Sequence, residues 1–231
     1  MDEIQEKLDF LFGNKPNFHC IPNTCHKTAD GGEVWDSRSV AVVLTIMFYD
    51  RENDEYYIPM GKRGDATPDA QGLWALPCGY IDRNENGGEA AMRETWEEIG
   101  LYIEKILYNQ HLKAESVRTC LAQPWHVDHF ANTGRQNVSL HFAVVIDWDM
   151  SKPLPKLTNK YNEKVGEVSE MKYFPYFGDL LGSPEDQYAF GHDKIISKFI
   201  KEKLETIEDS MDDYNLYDKF TKQQRRLIYG I

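Results

Sequence analysis

The chain has 231 residues, 41% hydrophobic and 13% aromatic, enough apolar material for a substantial core. Its formal net charge of −12 excludes general nucleic-acid binding, which works by neutralising phosphates with Lys and Arg. No apolar run reaches membrane-spanning length, and the opening MDEIQEKLDFLF lacks the basic stretch of a secretory leader, so a cytoplasmic protein with no membrane partner is expected.

Residues 1–13 place Ile4, Leu8 and Leu11 at helical spacing and predict a short amphipathic helix. Residues 14–36, rich in Pro, Asn, Gly and Cys, read as loop. Cys20, Cys25 and His26 lie there without the second pair that a zinc site needs, so these cysteines, with Cys78 and Cys120, read as free thiols. Val40 to Tyr49 is a continuous β-branched apolar run and predicts a buried strand; Tyr56 to Arg63 predicts a second. Residues 64–72 are loop, and Leu73 to Ile81 leads into a segment dense in glutamate. Ala90 to Ile99 lacks Pro and Gly and predicts a helix, closed by Gly100 as its C-terminal cap. Strands are expected over Ile103–Leu112, Glu115–Leu121, Asn137–Trp148 and Glu167–Pro175, with loop over Lys152–Tyr161. Asp193 to Leu204 predicts a helix with Ile196, Phe199, Ile200 and Leu204 inward, and the tail beyond it reads as helical.

On the 90–99 helix, Glu94, Glu97 and Glu98 stand at i, i+3 and i+4 and share one face. Met92, Trp96 and Ile99 take the other face as its anchor, and Thr95 falls between the two. Like charges at this spacing repel by roughly 0.2–0.5 kcal/mol per pair. A hard divalent cation with carboxylate and phosphate ligands removes that penalty.

The whole segment from Gly79 to Leu101, GYIDRNENGGEAAMRETWEEIGL, fits the spacing G-x5-E-x7-R-E-U-x-E-E-x-G-U, with U a bulky apolar residue. It resembles the Nudix box, with Thr95 as the single departure. The resemblance implies an α/β fold, a Nudix-type α/β/α sandwich with a mixed sheet, over residues 37–205. That leaves 1–36 as an N-terminal extension and 206–231 as a C-terminal tail. It implies Mg²⁺, with Mn²⁺ as a substitute, held by Glu94, Glu97, Glu98 and the backbone carbonyl of Cys78. It implies that Glu85 and Arg93 hold the loop against the helix, and that Gly79 leaves room at a turn beside the ligand. A strand-end arginine, here Arg63 beside Lys62, can touch a substrate phosphate in the family; a solvated strand end is the alternative. A loop glutamate near Glu167 or Glu170 can serve as general base, with Glu167 favoured.

Further readings concern substrate. AQPW (Ala122–Trp125) resembles the start of the motif found in NADH pyrophosphatases, and the FGHDKIISK run (Phe190–Lys198) resembles a helix start in ADP-ribose pyrophosphatases and in related transcription regulators. Asp193 also reads simply as an N-cap, Trp74 as core, and His126, Asp128 and His129 as a polar loop, with metal ligation the less favoured role. These resemblances imply Mg²⁺-dependent hydrolysis of a diphosphate in a nucleoside diphosphate linked to another moiety, with ADP-ribose or an NAD(H)-like dinucleotide preferred. A non-catalytic nucleotide-sensing module is the alternative. The expected partner is a small-molecule nucleotide diphosphate, and the family resemblance implies a homodimer.

Overall fold

In a computed structural model of the chain, residues 24–36, 39–82, 84–103, 106, 117–119, 121–129, 137–161 and 166–205 are described. The helix expected over 1–13 and the tail beyond 205 lie outside them. The chain divides into two units, 1–38 and 39–231. In the first, β1 (Thr24–Lys27) and β2 (Glu33–Asp36) pair antiparallel, with Thr24 opposite Asp36. This corrects the loop expected over 14–36: Asp30-Gly31-Gly32 is turn-forming sequence between two short strands, and Thr28 N–H donates to the Gly32 carbonyl at 2.9 Å.

The second unit is built on β3 (Val40–Asp50) and β4 (Glu55–Arg63). It continues through β5 (Trp74–Ala75), β6 (Cys78–Tyr80), β7 (Val117–Thr119), β8 (His126–His129), β9 (Val138–Asp147) and β10 (Val168–Pro175). The strands run in the order β10-β4-β3-β9-β7. β3 and β9 are parallel from Val40 opposite Val138 to Tyr49 opposite Asp147, while the other pairings are antiparallel. The sheet is therefore mixed. Among the described residues it is flanked by α1 (Gly87–Ile99) and α2 (His192–Phe199), the latter continued by a π-helical turn at Ile200–Glu205.

The two-residue period of a strand sorts the core into two layers. Val42, Leu44, Ile46 and Phe48, with Phe142, Val144 and Ile146, pack against Ala90, Ala91 and Ile99 of α1. The alternate residues Val43 and Met47, with Ala143 and Val145, pack with Ile196 and Phe199 of α2 and with Ile200. The result is the α/β/α sandwich expected. Trp74 is buried in the second layer, as core.

Three expectations fail locally. The strand over 103–112 is not formed at the two positions described there: Ile103 and Ile106 are helical, and Ile106 N–H donates to the Tyr102 carbonyl at 3.0 Å. Leu101 and Ile103 are fully buried, and a helical turn carries Ile106 to the same layer. The HVDH run is not loop but β8, paired antiparallel to β9 with His126 opposite His141. Asp193 is not an N-cap: α2 starts at His192 after Gly191, which makes no side-chain cap, and Asp193 lies in the first turn.

The feature that positions the site is a split in the sheet. β4 pairs with β3 only at its far end, Tyr57 opposite Phe48 to Glu55 opposite Asp50, and then diverges. β6 takes the vacated edge, with Val43 opposite Cys78. The segment between enters the split: the Pro77 carbonyl accepts from Leu44 N–H at 3.0 Å, and Leu76 N–H donates to His192 Nδ1 at 3.0 Å.

His192 is buried, and that burial pushes its imidazole down to about 3 from an ordinary 6.5. The unfolded chain takes up this proton near pH 6.5 and the folded chain does not until about pH 3, so the stability His192 contributes is intact above pH 6.5 and is lost as pH falls towards 3. Buried His141, pushed down to about 4, acts in the same direction. Denaturant unfolding from pH 7 to pH 4 is expected to show stability falling with pH, with a shallower slope in His192→Gln; an identical slope in the variant contradicts this reading.

Candidate active site

α1 starts three residues earlier than its composition suggests, because Asn86 and Glu89 form a capping box. Asn86 Oδ1 accepts from Glu89 N–H at 3.0 Å, and Glu89 Oε2 accepts from Asn86 N–H at 2.7 Å. The N-x-x-E spacing was there to be read. At the other end Gly100 has φ 75°, and a β-carbon there would lie 2.5 Å from the Thr158 carbonyl oxygen, so glycine is required.

The helix is rotated relative to the expected phase. Thr95 is fully buried with Ala91 and Ile99, and its hydroxyl donates to the Ala91 carbonyl at 2.8 Å. Trp96 instead turns outward and stacks on Tyr161 at 4.6 Å between ring centroids, while Met92 is half-buried. Thr95 thus fills an apolar position without leaving a buried hydroxyl unpaired.

With that phase fixed, Arg93 becomes the centre of the glutamate face. Its Nε and Nη2 grip Glu85 through both carboxylate oxygens, at 3.0 and 2.7 Å. Its Nη1 donates to Glu94 at 2.8 Å and Glu97 at 3.2 Å, and Nη2 also donates to the Tyr80 carbonyl at 3.0 Å. Glu85 accepts in addition from Asp82 N–H at 2.7 Å. These bonds, the Arg93 guanidinium foremost, hold the Glu85 carboxyl below its ordinary value. One side chain therefore ties the 80–85 loop to the helix.

Gly79 lies directly under Glu94: a β-carbon there would come within 2.2 Å of the Glu94 carboxyl. Cys78, next to it, donates its backbone N–H to Glu98 Oε2 at 3.1 Å, and burial pushes its thiol up. Cys78 is thus joined to the glutamates through its N–H. Glu98 keeps some exposure as a residue, but its carboxyl group is enclosed by protein. Burial first, and the charge of Glu94 second, push it up to about 8.

Glu167 and Glu170 separate clearly. The charge of Glu167 acts on Glu98, and its backbone carbonyl accepts from Gly64 N–H at 2.7 Å. Glu170 lies exposed on the outer strand, with Lys62 Nζ at 3.6 Å. Arg63 pairs with Asp69, and its charge also acts on Glu98. Its Nε and Nη2 donate to the Asp69 carbonyl and carboxylate at 3.0 and 2.9 Å, its side chain is 12% exposed, and its guanidinium lies 4.9 Å from the Phe190 ring centroid.

On the opposite layer, Asp128 stands between two histidines, 2.9 Å from His126 Nε2 and 3.1 Å from His141 Nε2, the latter out of hydrogen-bond alignment. Lys198 Nζ lies 3.2 Å from His126 Nε2. His129, three residues on from His126 and opposite Val138, takes no part in these contacts among the described residues.

Among the described residues no three His, Cys, Asp or Glu side chains converge on a single point, and Arg93 holds Glu94 and Glu97. The donor set nonetheless suits a hard divalent ion: three carboxylates stand on one helix face, and the burial and like charge that push Glu98 up are penalties a cation there would relieve.

Residues 38–199 match the NUDIX domain, and the chain belongs to the Nudix family. It is 28% identical over 108 residues to Nudix hydrolase 19, chloroplastic, of Arabidopsis thaliana, a match covering 47% of this chain and 19% of that protein. It is 36% identical over 80 residues to the RNA pyrophosphohydrolase of Cereibacter sphaeroides, covering 35% of this chain and 43% of that protein. The chain therefore spans less than half the length of either relative. A solved MutT/nudix family protein from Enterococcus faecalis has the same fold, with a TM-score of 0.50 at 16% identity over 94% of this chain and 83% of that one.

A cation that enters this cluster must displace the Glu98 proton below about pH 8, since carboxylate ligands bind metal in the ionised form. Calorimetric titration with Mg²⁺ is expected to show affinity rising about tenfold per pH unit between pH 6 and pH 8, then levelling. Glu98→Gln is expected to remove that slope. A pH-independent affinity in the unsubstituted protein contradicts it.

Proposed function

We propose that this protein hydrolyses a phosphoanhydride bond in a nucleoside diphosphate linked to a second moiety, with Mg²⁺, or Mn²⁺ in its place. The observation that carries the reading is the cluster of Glu94, Glu97 and Glu98 arranged around Arg93, with Glu98 enclosed and Gly79 leaving space beside it. Glu94, Glu97 and Glu98 would hold the cation. When bound it polarises a phosphoryl oxygen and offsets the charge that develops there.

The remaining roles fall to the chain itself. Arg93 and Glu85 fix the helix against the loop, so that the carboxylates keep one arrangement through turnover. Glu167, close enough to Glu98 for the charges to interact, accepts the proton of the attacking water. Glu170, paired towards Lys62, stays out of the chemistry. ADP-ribose or an NAD(H)-like dinucleotide is the preferred substrate, on the AQPW and FGHD resemblances. The Cereibacter relative is named an RNA pyrophosphohydrolase, and a pyrophosphohydrolase also cuts a phosphoanhydride bond.

The test is turnover on a panel of ADP-ribose, NADH, nucleotide sugars, diadenosine polyphosphates and nucleoside triphosphates, with and without Mg²⁺. Glu97→Gln and Glu98→Gln are each expected to lower kcat by about 10²-fold or more with the thermal midpoint retained, and Glu167→Gln by a similar factor. Glu170→Gln is expected to match the unsubstituted protein. Near-normal turnover in both Glu97→Gln and Glu98→Gln sinks the proposal, and binding of a panel member without any turnover favours a nucleotide sensor instead.

A further inference from the structure

Glu167 immediately precedes β10, and β10 opens on an irregularity. Val168 stands opposite Arg63 and Glu170 opposite Lys62, so Ser169 is an extra residue and the strand bulges. Bulges beside active sites re-aim side chains. The chain fixes this stretch from two sides. On the first, Gly64 N–H donates to the Glu167 carbonyl at 2.7 Å and Ala66 N–H to the Gly166 carbonyl at 3.2 Å. A β-carbon on Gly64 would fall 2.1 Å from the Gly166 carbonyl oxygen, so only glycine allows that approach.

On the second side stands one side chain. Asn159 Nδ2 donates to the Val168 carbonyl at 2.9 Å, where the bulge disrupts the ladder. The segment that carries Asn159 is fastened to the C-terminal end of α1. Thr158 N–H donates to the Ile99 carbonyl at 2.9 Å, and Gly100 lies so close that a β-carbon there would fall 2.4 Å from Thr158 Cγ2. Tyr161 stacks on Trp96, the aromatic that α1 turns away from the core. Glu94, Glu97 and Glu98 sit on the same last turns of α1. Residues 158–161 therefore join the helix that carries the glutamates to the strand end that carries Glu167, and the Asn159 amide is the link between them.

We propose that Asn159 is a positioning residue for the hydrolysis: by holding the Val168 carbonyl, it sets Glu167 against the glutamates of α1, so that the attacking water is aligned between them. This rests on the reading of Glu167 as the group that takes the proton of that water. Asn159 bonds to the backbone and acts through Glu167.

The test is a double-mutant cycle in kcat, with Asn159→Ala, Glu167→Gln and the two combined, on whichever diphosphate the unsubstituted protein hydrolyses. Asn159→Ala alone is expected to lower kcat about tenfold with KM within about twofold, as befits a misaligned group. In the Glu167→Gln background the same substitution is expected to change kcat by less than about twofold, because the group that it positions is already gone. A merely structural role predicts the same loss in both backgrounds. That additive result overturns the proposal, as does near-normal turnover in Asn159→Ala or in Glu167→Gln. Hydrogen exchange gives a readout that needs no turnover. Asn159→Ala is expected to speed exchange of Gly64 N–H, whose acceptor is the Glu167 carbonyl, at least about tenfold, with Thr158 N–H unchanged. Unchanged exchange at Gly64 also overturns the proposal. Failure of the hydrolase reading would show separately, as absent turnover in the unsubstituted protein with the exchange response intact.

Discussion

The fork of Arg93 is the contact on which the rest of the site depends. Its planar guanidinium meets the Glu85 carboxylate at two points and still reaches Glu94, Glu97 and the Tyr80 carbonyl. Hydrogen bonds to charged groups contribute about 1.5–3 kcal/mol each where they are shielded from water. Arg93 is about a quarter exposed, with 26% of its side-chain surface in solvent, which places these bonds towards the low end of that range. Their geometric effect is the larger one. Without this cation, Glu94 and Glu97 would stand as like charges on one helical face, and the 80–85 loop would lose the Arg93 bonds to Glu85 and the Tyr80 carbonyl.

The sheet makes that arrangement reachable. Because β4 leaves β3 after only three paired residues, the chain can pass Leu76 and Pro77 into the gap and set Cys78 and Gly79 beside the helix. Gly79 then permits Glu94 to lie against the backbone, and Cys78 N–H meets Glu98. The strand period places Cys78 and Val43 side by side, facing the layer that holds α2, while their neighbours face α1. The two faces of the sandwich meet at this split, the α1 side with the glutamates and the α2 side with His192, bonded to Leu76.

The chemistry-bearing residues were legible in the sequence because their roles depend on spacing along one helix and one loop, and a helix converts spacing into direction. The phase of that helix was not. Trp96 carries far more apolar surface than Thr95, yet Thr95 is the buried one, since its hydroxyl returns to Ala91 and the side chain is small enough to lie against the sheet. At Ile103 and Ile106 the expected strand gave way for a related reason. β-branched composition favours a strand, but Ile103 and Ile106 stand at helical spacing, and the core rewards spacing over composition. The partner of Arg63 had no sequence signal, because Asp69 reaches it across a loop.

A lysine keeps the charge of Arg93 but has no planar fork, so it cannot hold Glu85, Glu94 and Tyr80 together. Steady-state kinetics of Arg93→Lys on whichever diphosphate the unsubstituted protein hydrolyses is therefore the most direct measurement. If the fork sets the alignment of the reacting groups, kcat falls by about 100-fold with KM little changed, the size of effect expected when reacting groups shift by about 1 Å. Turnover within about threefold of the unsubstituted protein would show that charge alone suffices, and would contradict the central place given to Arg93.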